Sequence, residues 1–150
     1  MIKDRKRPEL TGGIASEEVR KGMRMAWENS NSDSPQDRHE EGGYITRDDK
    51  GKLGFESWPA GGRDNIRVPR DKDGKFKGKK VIGTYHTHPN PPVDEYGNKW
   101  NQEPSPNDLE YIKRAKFEGE SYVISRELIY VIKPDGKIEI LGSREDVLGD

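Results

Sequence analysis

Two of the chain's three histidines stand two residues apart in Gly83-Thr84-Tyr85-His86-Thr87-His88-Pro89. In a strand, residues i and i+2 point to the same face, so both imidazoles converge on one ion. Asp108, in Pro104-Ser105-Pro106-Asn107-Asp108, supplies a carboxylate downstream. Two histidines and one carboxylate, with a fourth position left for water, form the ligand set of a hydrolytic zinc centre. Hydrolysis also needs a base that takes a proton from the attacking water and passes it to the leaving group. That base is a carboxylate close to the ion and not bound to it. His39-Glu40-Glu41-Gly42-Gly43-Tyr44-Ile45 offers Glu40 and Glu41, ahead of a strand whose glycines let another backbone come close.

Taken singly, each piece has an ordinary reading. Ser105 to Asp108 is a capping box, with serine at the N-cap and an acid at N3. His-Thr-His fits a half-exposed strand face, Glu40 a surface charge, and His39 a surface residue or a neighbour of the site. The ordered conjunction of all the pieces favours a site over accident.

The elements that must position these residues are visible in the pattern. Ser16 to Glu28 is expected to be helical, with Ser16 as N-cap, Glu17 and Glu18 in the first turn, and Val19, Met23 and Ala26 on one face. Tyr44-Ile45-Thr46 begins a strand, Asp48 to Gly51 turns, and Lys52 to Ser57 returns. Ile66-Arg67-Val68 is a candidate short strand. Lys80 to His88 is the central strand, stopped by Pro89. A long loop from Pro91 to Pro104 follows. Ser105 starts a helix with Pro106 at its first position, a stripe of Leu109, Ile112 and Ala115, and a stop at Glu118-Gly119-Glu120. Strands are expected at Tyr122–Ser125, Leu128–Ile132 and Lys137–Leu141, the last two joined by a Pro134-Asp135-Gly136 turn. This order makes a single α/β (α+β) domain over residues 1–150, with 1–15 as a polar arm.

Composition bounds the rest. Hydrophobic content is 29 %, charged content 37 %, and mean hydropathy −1.15, yet the net charge is only −1. Disorder usually brings a large net charge, so a small core with long polar loops is expected. With no cysteine, disulfides, thiolate ligands and thiol nucleophiles are excluded. Arg63 to Lys80 carries eight Lys/Arg against three Asp. Its interleaved Asp and Gly and single aromatic suit a solvated hairpin better than a nucleic-acid patch. No apolar run is long enough to span a bilayer, and the N-terminus lacks a signal-peptide segment. As written, the chain is expected to be cytoplasmic, or to be one domain of an exported effector.

The joint pattern resembles the JAB/MPN (JAMM) metalloprotease family: a Glu before a Gly-containing strand, His-x-His-Pro, then Ser-x-x-Asp. It looks especially like the bacterial JAB-like branch, including domains associated with polymorphic toxins. The resemblance spans about Glu40 to Leu141. It implies a cytidine-deaminase-like fold with a curved mixed sheet flanked by helices. It implies Zn²⁺ held by His86, His88 and Asp108, with Ser105 stabilising an oxyanion. Glu40 matches the catalytic Glu, because Gly43 follows it by three; Glu41 is the runner-up. The 16 residues between His88 and Ser105 exceed the family's shorter gap and bring in Asp94 and Glu95 as rival carboxylates. The intact Ser-x-x-Asp favours Asp108. The activity implied is that of a zinc-dependent peptidase or isopeptidase acting on a protein or peptide, including a ubiquitin-like modifier. Alternatives within the resemblance are a catalytically silent binding module and a toxin effector with a cognate immunity or partner protein.

Overall fold

The computed structural model describes residues 8–149. Its centre is a mixed sheet of seven strands: β1 (Gly42–Arg47), β2 (Leu53–Ser57), β3 (Lys75–Phe76), β4 (Lys79–His88), β5 (Ser121–Ser125), β6 (Leu128–Ile132) and β7 (Ile138–Ser143). The order is β2-β1-β4-β5-β6-β7, with β3 paired to the start of β4. Only β4 and β5 run parallel; every other pair is antiparallel. A parallel pair needs a crossover, and here it carries the long loop and the helix α2 (Pro106–Ala115).

Strand alternation sorts the apolar side chains between two faces. Tyr122 and Ile124 of β5, with Ile129 and Val131 of β6, pack with Val19, Met23 and Ala26 of α1 (Glu17–Asn29). Val123, Tyr130 and Ile132 turn the other way, towards Ile112 of α2. A register shift against β1 interrupts β4: Ile45 faces Gly83, while Thr46 faces Val81. The extra residue, Ile82, joins the α1 face, although Val81 packs with Tyr44 and Trp58 on the other side. Beyond this bulge Tyr85 points to α1, so Thr84, His86 and His88 share the α2 face.

Several expectations change. Ile66 to Val68 form no strand; they cross as an irregular segment packed on Tyr44, Trp58 and Val81. The expected arm is ordered well before residue 15. Leu10 packs on the core, and Ile14, in a 3-10 turn, is fully buried; residues 1–7 lie outside the described ones. Helix α2 ends at Ala115 on a left-handed Lys116 rather than at Glu118–Glu120. Of its expected stripe only Ile112 is fully buried. β7 runs on to Ser143 and leads into a short helix, α3 (Arg144–Leu148), whose Val147 and Leu148 are buried. The basic run folds as a hairpin, with Lys75 opposite Lys80 and Phe76 opposite Lys79. No helix among the described residues is long and apolar enough to cross a membrane.

Candidate metal centre

His86 and His88 end β4, and Asp108 opens α2 across from them. His86 Nε2 lies 3.4 Å from Asp108 Oδ1, and His88 Nε2 lies 3.4 Å from Asp108 Oδ2. One donor atom from each residue falls within 4.8 Å of the others. Tetrahedral zinc with bonds of about 2.0–2.2 Å separates its ligand atoms by about 3.4 Å. The 3.4 Å contacts run to different oxygens of Asp108, and the two nitrogens and one oxygen within 4.8 Å are close enough for one ion to gather.

Neighbouring groups hold each donor. His88 Nδ1–H donates to the Gln102 carbonyl at 3.1 Å, which orients the ring with Nε2 towards Asp108, as an outer hydrogen bond does for a metal-bound histidine. Ser105 is the N-cap of α2. Its hydroxyl accepts from Asp108 N–H at 3.1 Å, and its own N–H donates to Asp108 Oδ2 at 2.8 Å. The capping box and the candidate ligand are thus the same residues. Burial pushes the Asp108 carboxyl up, but hydrogen bonds from His86, His88 and Ser105 outweigh it and hold the group far below its usual range. Burial likewise opposes the His86 imidazolium. The adjacent Asp108 and Glu40 charges prevail, and its pKa is raised.

Glu40 borders the same cleft as the two histidines, Ser105 and Asp108. It is 6 % exposed, and burial lifts its pKa to about 7, with Asp108 and Asp64 adding to the rise and His86 opposing it. Its backbone leaves the β1–β4 ladder and pairs instead with Gly61 and Gly62, through bonds of 2.9 and 2.8 Å. Glu41 faces elsewhere: its carboxylate meets His39 Nε2 at 2.5 Å, and neither residue borders the cleft. Burial works against a charged His39, but the Asp37 carbonyl and Glu41 raise its pKa.

The glycines behave as their position suggested. Gly42 lies opposite His86, and a Cβ there would sit 2.6 Å from the Tyr85 carbonyl and 2.9 Å from His86 Cβ. Thr87, between the histidines, was not singled out from the sequence. It points to the α1 side and anchors the Glu40–Glu41 turn. Glu41 N–H donates to Thr87 Oγ1 at 3.0 Å, and Thr87 N–H donates to the Glu41 carbonyl at 2.8 Å. Ser30 Oγ lies 2.6 Å from Thr87 Oγ1 and donates its single proton to the Ala26 carbonyl, so Thr87 donates to Ser30. No local signal links Ser30 to Thr87, 57 residues away.

The rival carboxylates in the long loop are structural. Asp94 accepts from Tyr96 N, Asn98 N and Trp100 Nε1 at 2.8–2.9 Å, and these bonds hold its pKa down to about 2. Glu95 forms a two-pronged pair with Arg38, at 3.0 and 3.1 Å. The loop is closed by a Val93–Lys99 bridge and lends Lys99 and Trp100 to the rim of the cleft. The cleft itself holds about 580 Å³.

Comparison with family models, with curated proteins and with solved structures finds no match to this chain.

Proposed function

We propose that the chain is a zinc-dependent peptidase or isopeptidase built on the cytidine-deaminase-like JAB/MPN fold. The observation that carries this reading is the meeting of the His86–His88–Asp108 donors with a buried glutamate of raised pKa in one cleft. Zinc at the triad would supply a Lewis acid that lowers the pKa of a bound water towards about 7. Glu40 takes the proton of the attacking water and delivers it to the amide nitrogen as the bond breaks. Burial favours the protonated form of Glu40, which suits its holding the proton between the two halves of that transfer. The Ser105 hydroxyl accepts the Asp108 N–H and keeps its own proton free to donate to the developing oxyanion. The substrate is a protein or peptide, and the cleft size suits a segment of chain rather than a whole domain.

Elemental analysis of the wild type and of the His86→Ala/His88→Ala double variant tests this reading. About one zinc per chain is expected in the wild type and none in the variant. A wild type that stays metal-free after reconstitution would overturn it in favour of the silent binding module.

A further inference from the structure

The cleft extends beyond the metal triad. Thr84 shares the strand face of His86 and His88, and two residues of strand separate it from His86 by about 7 Å. Tyr44 lies opposite Thr84 on β1, and its hydroxyl donates to the Pro69 carbonyl. That bond ties down the irregular segment carrying Ile66 and Val68. Tyr111 and Ile112 of α2 complete this end of the cleft, and the Tyr111 hydroxyl neighbours that of Tyr44. Polar donors ring the triad, and Ile66, Val68, Tyr111 and Ile112 give the adjoining lobe its aliphatic and aromatic carbon, beside Asn65 and Ser121. The distance between them is about that from one backbone carbonyl of an extended peptide to a neighbouring side chain.

Two buried polar atoms on the cleft lack partners among the described residues. Asn90 donates through Nδ2 to the Arg63 carbonyl at 2.9 Å, which fixes the amide's orientation and leaves Oδ1 as an acceptor without a donor. Trp58 Nε1 is a donor without an acceptor. Both atoms are closed to solvent, so they belong to the cleft wall and add nothing to ligand binding.

We infer that this cleft takes an extended peptide whose residue beside the scissile bond carries a bulky apolar side chain, seated between Ile66, Val68, Tyr111 and Ile112. The inference rests on the metallopeptidase reading and narrows it to a substrate class. A tail of small residues would leave the lobe unfilled and gain nothing from it.

Internally quenched peptides, identical except for Leu, Phe, Gly or Glu at one position, test it on the zinc-loaded protein. Leu and Phe peptides should exceed Gly and Glu peptides by about tenfold or more in kcat/KM. The Ile66→Thr/Val68→Thr variant, with its zinc content unchanged, should flatten that ratio. Equal cleavage of all four, or a preference for Gly, overturns the inference and leaves the peptidase reading standing. If no peptide is cleaved, the peptidase reading fails, and the lobe is tested by binding alone. The same peptides are titrated onto methyl-labelled Glu40→Gln protein. Shifts of the Val68 and Ile112 methyls with Leu and Phe but not Gly support the lobe. Absence of those shifts overturns it.

Discussion

At the scale of single residues, Glu40 carries two separable expectations. As the base, it should be dispensable for zinc and necessary for turnover. Glu40→Gln is expected to keep about one zinc per chain while hydrolysis falls roughly 10²–10⁴-fold, measured by metal analysis beside a peptide assay. As a buried acid, it should also mark stability in the metal-free protein. Its folded pKa, about 7, exceeds the ordinary 4.5. Its contribution is therefore fully present below pH 4.5 and lost as pH rises through 7. Denaturant titrations of metal-free Glu40→Gln and wild type should diverge by about 1–3 kcal/mol in favour of the variant at pH 8, and converge near pH 4. Asp108 has the opposite sign, because its depressed pKa adds stability above pH 3.8 that is lost only in strong acid. Its spacing to Ser105 and the His-x-His pair were visible in the sequence, because both depend on periods of a few residues. The choice between Glu40 and Glu41 was not. Both lie in the turn before β1, and which one faces the cleft depends on bonds to distant chain, Glu40 to Gly61 and Gly62 and Glu41 to Thr87.

The elements show where local pattern stops being informative. β4, β5 and β6 follow from their apolar runs, and α1 and α2 from their caps. The Ile82 bulge does not, since it arises from register against β1 and not from any residue's propensity. The same holds for Ile66 to Val68, where an alternating pattern serves packing against Tyr44 and Trp58 without a ladder. Thr87 belongs to this scale, because it links the end of α1 to the turn carrying Glu40. Thr87→Val should cost about 1–3 kcal/mol by leaving Glu41 N–H unpaired. Thr87→Ser should recover most of it, read by thermal unfolding with zinc content as the control. Gly42→Ala is expected to be worse, losing 2 kcal/mol or so and weakening zinc retention, since its Cβ meets the Tyr85 backbone.

For the molecule as a whole, the candidate site joins three stretches of chain: the approach to β1, the end of β4 and the start of α2. A ligand that binds only their folded arrangement stabilises the fold by mass action, about 2.7 kcal/mol at a hundredfold excess over Kd. Zinc should therefore raise the melting temperature and chelator should lower it, with no such shift in the His86→Ala/His88→Ala variant. The chain between His88 and Ser105 is organised differently from the rest. Asp94 gathers its turn internally, and its two ends are joined where Gln102 Nε2 donates to the Asn90 carbonyl at 3.0 Å. A segment stitched at its base and folded around its own hub is an exchangeable cassette. Its length and rim residues can drift as long as Glu95 still meets the buried Arg38. Selection, or an engineer, could reshape the rim of the cleft by rewriting this segment, while Gln102 holds His88 in place.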